Sequence, residues 1–390
     1  MDSTMPLHII GGFGDVTIGR KLSFVLLNKE ISSTLGLISI LDTYPDKEKI
    51  KKNPRDYLEN VVKPNFKTKV EDIVLDALAD RIKSGGIKYF VHDNEGKDVT
   101  EFFKQTNEGD IIDISTPNLF HLSYLERAAT ETLAHVTLEK PAVINRKQIE
   151  KARKILQYQK QINPHRIFMD QEHYSHYEMI SEYIREIQKT VKDFGKIKKI
   201  KIELKENEYF ESTRNRGIID KSLSGGGIWL DLGPHALSFL TSLNATINEN
   251  TILATRYKYS DPLIANETYR ETRLETSFCA ESPFFVDSGA EIEIYVGKAA
   301  DQTRKAFEIE HENGKVILNT GERKSSYNGH EKTIDVQEPF LNAYRDLISA
   351  VKNNTNPLNP IEKSLRTLES LFEIQDRAET KPMIPYNLWK

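Results

Sequence analysis

The sequence predicts two domains: an α/β domain with a parallel sheet, followed by an α+β domain built on a large, open, mostly antiparallel sheet. The 390 residues are too many for one ordinary core. Over about the first 145 residues, strand-like apolar runs alternate with helical stretches, which is typical of a parallel sheet with crossover helices. Beyond them, strand-like runs follow one another directly. We therefore predict domains of residues 1–170 and 171–390.

The first domain is predicted to carry four parallel strands, in the segments LHII, GLISIL, DIIDIST and HVTLEK. The segment FHLSYLERAATET predicts an amphipathic helix, because its apolar residues recur at helical spacing. A long charged stretch, residues 46–109, is predicted to decorate this domain. It holds a helix around VEDIVLDALADRIKSGG and then a strand, a turn and a second helix.

A helix from about Arg146 to Gln161 leads into the second domain. Strands are predicted there in the segments KIKKIKIELKE, NTILATRYKY, TRLETSFCA, EIEIYVGK, KAFEIEHENG and GKVILNT. In the first of these, Ile200, Ile202 and Leu204 alternate with charged residues, so one face of the sheet is expected to meet water. Two helices, in EPFLNAYRDLISAVKNN and PIEKSLRTLESLFEIQDRAE, are predicted to close the chain.

Composition and charge exclude several classes of protein. The net charge of −4 gives little long-range attraction for nucleic acid. No apolar run approaches the roughly 18 residues that a membrane span needs, and the opening MDSTMPLHII lacks the pattern of a secretion signal. We therefore expect a cytoplasmic protein without a membrane partner. The single cysteine, Cys279, can form neither an internal disulfide nor a zinc cluster, and the sequence indicates no metal site.

A glycine-rich turn directly follows the first strand and opens a helix, in the segment IIGGFGDVTIGRKL. Gly12 and Gly14 would let the backbone approach a pyrophosphate, whose charge then rests on N–H groups and the positive end of the helix. Phe13 and Asp15 complete this predicted cofactor loop. Thr17 occupies the third glycine position of the dinucleotide-binding pattern, so from this loop alone an ordinary turn is almost as well supported.

An acid at the end of the second predicted strand bears on the choice of cofactor. Asp42, in ISILDTYP, would accept both ribose hydroxyls of NAD and repel the extra phosphate of NADP. Lys47 and Lys49 nearby keep NADP open, and an ordinary turn aspartate is the alternative. We expect NAD or NADP as the cofactor, with NAD favoured.

Ligands of open parallel sheets bind beyond the carboxyl ends of the strands. The residues that follow two predicted strands, in DISTPNLFH and TLEKPAV, are therefore predicted cofactor ligands: Thr116, Pro117, Asn118, His121, Glu139 and Lys140. Lys140 has a further predicted role, because its positive charge would stabilise the alkoxide that forms as a hydroxyl gives up its hydride. A solvated lysine at a strand end is the alternative.

An acid and a histidine interrupt the apolar run SGGGIWLDLGPHALSFL. Pro234 is predicted to lie in the first turn of a helix through PHALSFLTSL. Residues four apart lie close to one face of a helix, so the Asp231 carboxylate would orient the His235 imidazole as an acid–base pair. The alternative, at least as well supported by the spacing, is that Asp231 caps the helix and His235 is a hydrogen-bonded core histidine.

Together, the segments GGFG, DISTPNLFH, EKPA, GGGIWLDLGPHAL and FFVDSGAEIEI resemble the Gfo/Idh/MocA oxidoreductases over essentially the whole chain. The resemblance implies a Rossmann domain, a second domain on a large open sheet, and hydride transfer between NAD(P) and a sugar-like hydroxyl or carbonyl. It also implies that Lys140, Asp231 and His235 are the catalytic set. The exposed face of the second sheet is a usual dimer surface in that family, so we expect a homodimer or homotetramer.

The first half of the chain also resembles glucose-6-phosphate dehydrogenase, in GGFGDVTIGRKL, in EKPAVINRKQIEKARKIL and in RIFMDQEHYSHYE. This resemblance implies that Glu172, His173 and Tyr174 match the Asp-His-Tyr of a sugar-phosphate signature, with His173 and Tyr174 binding substrate. Tyr177 stands in place of the signature's lysine, which puts phosphate recognition in doubt.

These features predict an NAD(P)-dependent dehydrogenase that oxidises a hydroxyl of a sugar or sugar phosphate, such as glucose 6-phosphate or a related hexose. His235, held by Asp231, would take the hydroxyl proton while Lys140 stabilises the oxygen. Arg214 and Arg216, in ESTRNRGIID, would suit a substrate phosphate or carboxylate, although solvated loop arginines are common. Two alternatives stay open: a non-catalytic sensor of NAD(P) or sugar, and an NAD-dependent glycoside hydrolase.

Overall fold

The structure, a computed structural model, describes residues 4–11, 21–42, 47–63, 72–92, 96–206, 226–259, 271–298, 303–334 and 338–384. The chain divides into two compact units. The first comprises Met1–Ala142, Lys151–Gln171 and Phe340–Ile361, and the second comprises Val143–Glu150, Glu172–Pro339 and Glu362–Lys390. The chain thus returns to the first unit at Phe340. The predicted division into residues 1–170 and 171–390 does not include this return.

The first unit contains a six-stranded sheet in the order β3-β2-β1-β4-β5-β6, and every neighbouring pair is parallel. Its strands are β1 Met5–Ile10, β2 Leu35–Asp42, β3 Lys88–Val91, β4 Ile111–Ile114, β5 His135–Leu138 and β6 Phe168–Asp170. All four residues of β4 are buried, as expected of a central strand in a parallel sheet. The strand order reverses between β1 and β4, so the predicted Rossmann topology is confirmed.

Helices connect these parallel strands. They are α1 Leu22–Leu27, α2 Lys29–Ser32, α3 Lys47–Lys52, α4 Pro54–Tyr57, a π-helical segment Leu58–Val62, α5 Asp72–Lys83, α6 Lys97–Lys104, α7 Asn118–Glu131 and α8 Arg146–Ile162. α7 and α8 confirm the helices predicted in those segments. The stretch predicted as a decoration contributes β3 to the sheet itself, because Val91 pairs with Asp42 of β2. The strand and the helix predicted there are confirmed as β3 and α6, and only the description of the stretch as a decoration was wrong.

The second unit contains a mixed sheet that has ten strands within the described residues. Its main path runs β15-β14-β13-β12-β7-β11-β10-β9-β16, and β8 pairs with β10. The strands are β7 Ile197–Glu206, β8 Thr246–Ile247, β9 Leu253–Tyr259, β10 Glu271–Glu281, β11 Val286–Lys298, β12 Arg304–His311, β13 Lys315–Asn319, β14 Lys324–Tyr327, β15 His330–Thr333 and β16 Glu379–Ile384. The pairs β7–β11 and β9–β16 are parallel and the others are antiparallel, which confirms the predicted large, mostly antiparallel sheet.

Two long helices and two short turns lie in the described part of this unit between Glu172 and Pro339. They are α9 Glu178–Phe194 and α10 Ile228–Ser242, with 3-10 turns at His173–His176 and Glu249–Thr251. α10 packs on β10 and β11. No helix in the described ranges is both long and apolar enough to cross a membrane.

The two predicted closing helices belong to different units. α11, Pro339–Asn353, joins the first unit, where Tyr344 and Leu347 lie in one buried apolar cluster with Leu7 of β1. α12, Ile361–Arg377, packs against α10 in the second unit, where Trp229 Nε1 donates to the Leu371 carbonyl at 2.9 Å. Beyond α12 the chain forms β16 beside β9, a strand that the sequence analysis missed.

Candidate functional site

The carboxyl ends of β1, β4 and β5 bring predicted cofactor segments side by side in the first unit. Ser115 N donates to the Ile10 carbonyl at 2.7 Å, and Glu139 N donates to the Ile114 carbonyl at 2.9 Å. These bonds continue the parallel ladders just beyond the strands. The residues after each strand therefore lie at the edge of the sheet where open parallel sheets bind ligands.

Gly11 begins the glycine-rich turn at this edge. Its φ is +83°, and an added Cβ atom would lie 2.4 Å from the carbonyl oxygen of Ser115, so only glycine fits. The two backbones thus approach closely where the strand order reverses, with no side chain between them. The predicted cofactor residues Gly12, Phe13, Gly14 and Asp15 lie outside the described residues.

Lys21 lies behind this edge, directly before α1, with 0% exposure. Its ammonium nitrogen lies 2.7 Å from Ser115 Oγ, 2.8 Å from Glu139 Oε1 and 3.2 Å from Asp113 Oδ1. Burial alone would lower the pKa of Lys21, but the Asp113 and Glu139 carboxylates outweigh burial and hold this pKa above its ordinary value. The buried cation therefore holds together the residues that follow β4 and β5.

Asp113, on β4, is the centre of this buried network. Its Oδ2 accepts from the Tyr344 hydroxyl at 2.7 Å and from the Gln171 amide at 3.0 Å, and its Oδ1 accepts from the Ser115 hydroxyl at 2.7 Å. The sequence analysis gave Lys21, Asp113 and these partners no role. The available signal was an acid inside the apolar strand DIIDIST, since a buried carboxylate requires polar partners.

Asp42, the predicted ribose ligand, ends β2 and is 5% exposed. His92 N donates to the Asp42 carbonyl at 2.7 Å, and His92 Nδ1 lies 2.6 Å from the Tyr124 hydroxyl. Burial raises the pKa of Tyr124 to about 12, so this hydroxyl stays neutral at pH 7. His92 and Tyr124 lie at the same strand end as Asp42, and the sequence analysis identified neither.

His121, a predicted cofactor ligand, is fully buried in the first turn of α7. Its Nδ1 lies 2.8 Å from the Pro141 carbonyl oxygen, and its Nε2 lies 2.8 Å from the carbonyl oxygen of the buried Thr116. Burial lowers the pKa of His121, and a neutral imidazole has one N–H, so one of the two contacts is a hydrogen bond at a time. His121 therefore ties the Thr116 and Pro141 segments together, and its direct contact with a cofactor stays a prediction.

The other predicted residues of the first unit follow their strands as expected. Pro117 is exposed, and Asn118 begins α7 and is partly buried. Glu139 and Lys140 follow β5 and are partly exposed, and the Lys140–Pro141 peptide bond is cis. Their contact with a cofactor stays a prediction.

In the second unit, α10 carries Asp231 and His235 one helical turn apart. The helix begins at Ile228, six residues before Pro234, so the prediction that Pro234 lies in the first turn was wrong. The cap residue is Gly227, and Asp231 lies inside the first turn, which contradicts the alternative that Asp231 caps the helix. α10 is buried almost throughout, so packing outweighs the weak helix preference around Pro234.

His235 is 2% exposed, and its Nδ1 lies 2.6 Å from Oε1 of Glu172. Glu172 is 4% exposed, and its Oε1 also accepts from Tyr174 N at 2.9 Å, which caps the 3-10 turn. A carboxylate at Nδ1 favours the proton on that nitrogen and leaves Nε2 as the acceptor. The sequence analysis proposed Asp231 as the partner of His235 and missed Glu172, because Glu172 lies 63 residues away along the chain.

Asp231 belongs to a chain of alternating charges. Its carboxylate lies 3.7 Å from the ammonium nitrogen of Lys298, the buried last residue of β11. Glu206 lies 2.9 Å from Lys298 and 2.6 Å from Lys305. Burial alone would raise the pKa of Glu206, but Lys298 and Lys305 lower it to about 2. The pairing of β7 with β11 brings Glu206 and Lys298 together, so local sequence patterns gave no signal for them.

Two predicted substrate ligands surround the His235 ring. The Tyr174 ring stacks on it with centroids 4.3 Å apart and planes inclined by 27°, and the His173 ring approaches edge-on at 4.6 Å. Burial raises the pKa of Tyr174 well above its ordinary value, so its hydroxyl stays neutral. Arg214 and Arg216 lie outside the described residues.

The sequence matches no protein-family model and no curated protein. Solved structures do resemble the chain. An oxidoreductase from Thermotoga maritima has a TM-score of 0.71 at 14% identity, covering 96% of this chain and 97% of that one. The 3-ketoreductase KijD10 from Actinomadura kijaniata, solved with NADP and TDP-benzene, has a TM-score of 0.67 at 12% identity, covering 98% and 100%. The WlbA dehydrogenase from Bordetella pertussis, solved with NADH and UDP-GlcNAcA, has a TM-score of 0.66 at 15% identity, covering 97% and 96%. At these identities the likeness establishes the fold over nearly the whole chain.

Proposed function

We propose that the chain is an NAD(P)-dependent oxidoreductase of the Gfo/Idh/MocA type that acts on a hydroxyl, or the corresponding carbonyl, of a sugar or sugar phosphate. The observation that carries the proposal is the buried pair of Glu172 and His235. A carboxylate-held imidazole supplies the general acid–base group that hydride transfer at an alcohol needs. A binding module that does no chemistry has no need of such a pair.

The fit of the cofactor rests on the carboxyl edge of the parallel sheet. At Gly11 the backbone approaches Ser115 so closely that a Cβ atom would collide, and the glycine-rich turn that begins there would bring a pyrophosphate close to the backbone at this edge. The residues that would hold the cofactor are Gly12, Phe13, Gly14, Asp15, Asp42, Thr116, Pro117, Asn118, His121, Glu139 and Lys140. The Asp42 carboxylate favours NAD over NADP. When bound, the nicotinamide accepts or donates the hydride.

The protein's own residues would handle the proton. Glu172 holds the Nδ1–H of His235 and stabilises the imidazolium that forms when Nε2 takes the hydroxyl proton. The Lys140 ammonium would donate a hydrogen bond to the same oxygen and stabilise its developing negative charge. Asp231, whose carboxylate lies near Lys298, remains part of the proposed catalytic set. It would help to orient the substrate or the His235 ring.

The substrate class is proposed from the fold and from the residues around His235. WlbA, which has a similar fold, was solved with UDP-GlcNAcA. We therefore add nucleotide-linked sugars to free sugars and sugar phosphates as candidate substrates. His173, Tyr174 and Arg214 are the proposed substrate ligands. A cytoplasmic homodimer or homotetramer remains part of the proposal.

The experiment that tests the proposal measures reduction of NAD and NADP by absorbance against free sugars, hexose phosphates, sugar nucleotides and polyols. His235→Ala is the matched variant, and it is expected to lower turnover by about 100-fold or more while NADH binding is retained. Cofactor binding without reduction by any substrate would favour a sensor. Cleavage of a glycoside without net NADH would favour a hydrolase, and failure to bind either cofactor would refute the proposal.

A further inference from the structure

We infer that Glu172, His173 and His235 form a binding site for a divalent transition-metal ion of the Zn²⁺ class, and that the ion competes with the proton for His235. Each residue offers one ligand atom, a carboxylate oxygen or an imidazole nitrogen, and these atoms lie within 4.8 Å of one another. The competition rests on the function proposed for His235, whereas the ion site itself does not.

The local fold explains why these side chains meet. Glu172 and His173 begin the 3-10 turn that follows β6, and the bond from Tyr174 N to Glu172 fixes the carboxylate there. α10 presents His235 to the same point, so its Nδ1 reaches Glu172 at 2.6 Å while its ring meets His173 edge-on. All three ligands therefore come from two adjacent structural elements of one unit.

The ligand set matches the chemistry of zinc. Two imidazoles and one carboxylate are a common three-residue set for Zn²⁺, and the fourth tetrahedral position remains for water or another small ligand. Glu172 and His235 are buried and His173 is partly buried, so an ion there is largely shielded from bulk water.

The distances require only side-chain movement. With metal–ligand bonds of about 2.0–2.1 Å, the ligand atoms of a tetrahedral ion lie about 3.3 Å apart. The contact of 2.6 Å between Glu172 and His235 would open by roughly 0.7 Å, and the other separations, all within 4.8 Å, would close by roughly 1.5 Å or less. At Nδ1 of His235 the ion takes the place of the proton shared with Glu172. The neutral imidazole then carries its proton on Nε2, so Nε2 cannot accept the proton of a substrate hydroxyl.

Equilibrium dialysis of the full-length protein against Zn²⁺, with metal measured by mass spectrometry, tests the site directly. We expect one ion per chain for the wild type, and His173→Gln should raise the dissociation constant about tenfold or more. His330→Gln, which changes an exposed histidine on β15, is the matched control and should bind as the wild type does. Absence of saturable binding, or equal affinity of His173→Gln and wild type, overturns the inference.

Two further readouts keep the test decisive. Co²⁺ bound to the wild type should give the intense visible absorption of a four-coordinate ion. The weak spectrum of hydrated Co²⁺ alone would overturn the site. This measurement uses only the wild type, so it holds even if His173→Gln unfolds. Zn²⁺ should inhibit turnover reversibly, with chelator restoring the rate, and each variant is scored against its own metal-free rate. A chain that binds Zn²⁺ but oxidises no sugar keeps the ion site and refutes the proposed function. A chain that oxidises sugar but binds no Zn²⁺ keeps the proposed function and refutes the ion site.

Discussion

The Oε1 atom of Glu172 lies 2.6 Å from Nδ1 of His235, and both side chains are buried. This contact determines which imidazole nitrogen carries the proton, because a carboxylate at Nδ1 keeps the proton there and leaves Nε2 as an acceptor. Asp231, four residues before His235, is the partner that spacing suggests, and its carboxylate lies near Lys298. Glu172 and Asp231 are therefore expected to contribute differently, and substitutions can separate them.

Replacing Glu172 by glutamine should lower kcat by about 100-fold or more. The amide removes the negative charge that stabilises the imidazolium, and it permits the tautomer with the proton on Nε2. Steady-state kinetics at saturating cofactor measure the loss, and the exposed Glu178→Gln is the matched control. A rate within twofold of wild type would show that Glu172 does not support His235 during turnover.

Replacing Lys140 by alanine should lower kcat/KM by about 100-fold, because the substitution removes the charge that we propose stabilises the substrate oxygen. The unfolding temperature should stay the same, since a partly exposed residue at a strand end contributes little core packing. Kinetics and thermal unfolding are measured on the same preparation, with the exposed Lys147→Ala as control. An unfolding temperature that drops along with the activity would instead assign Lys140 a structural role.

Asp42→Asn should shift the cofactor preference towards NADP, raising the NADP-to-NAD ratio of kcat/KM by about tenfold. The substitution removes a carboxylate that repels the 2′-phosphate while keeping an acceptor for the ribose hydroxyls. The exposed Asp80→Asn on α5 controls for the change in net charge. An unchanged ratio would place the specificity in other residues at the end of β2.

Local patterns predicted the elements whose residues lie close together in sequence. α8 follows from apolar periodicity, which depends on burial of one face, and β1, β2, β4 and β5 follow from short apolar runs, which are typical of a sheet buried on both faces. The strand that became β3 was predicted, but its place in the sheet was not, and β6 and β16 were missed. Pairing with β2, β5 and β9, far away along the chain, determines these places.

The candidate site shows the same division. Asp231 and His235 stand out because polar residues interrupt an apolar run, whereas Glu172 was related only to a sugar-phosphate signature and Lys298 is an ordinary charged residue in sequence. Their significance comes from the surfaces that tertiary packing brings together. A buried charge gains its partners only in the folded chain, so composition and spacing cannot identify it in advance.

Glu206 predicts how the stability of the protein responds to acid. Lys298 and Lys305 hold its pKa at about 2, against an ordinary value of 4.5. Because the folded-state pKa is the lower one, the ionised carboxylate stabilises the fold above pH 4.5, and this contribution, on the order of 3 kcal/mol, is lost as the pH falls towards 2. Glu206→Gln should therefore show a flatter pH dependence of the free energy of unfolding in this window. Urea unfolding from pH 6 to pH 2 measures it, with the exposed Glu310→Gln as control, and parallel curves for Glu206→Gln and wild type would contradict the assignment.

Lys21 offers a test of the buried network in the first unit. Lys21→Met removes the positive charge that contacts Asp113 and Glu139. Removing one partner of a buried ion pair costs about 3–5 kcal/mol of stability. Urea unfolding should show a loss of this size, whereas the exposed Lys29→Met should change the free energy of unfolding by less than about 0.5 kcal/mol.

The triple variant Lys21→Met, Asp113→Asn, Glu139→Gln separates charge from shape. With all three charges removed, positions 113 and 139 no longer carry charges that lack their cation, so much of the lost stability should return. If Lys21 also holds the residues after β4 and β5 in position, NADH binding measured by fluorescence, well below the unfolding temperature, should stay weak in the triple variant although its stability recovers. Recovery of both quantities together would mean that the ammonium group only neutralises the two acids, and that the cofactor edge keeps its shape without it.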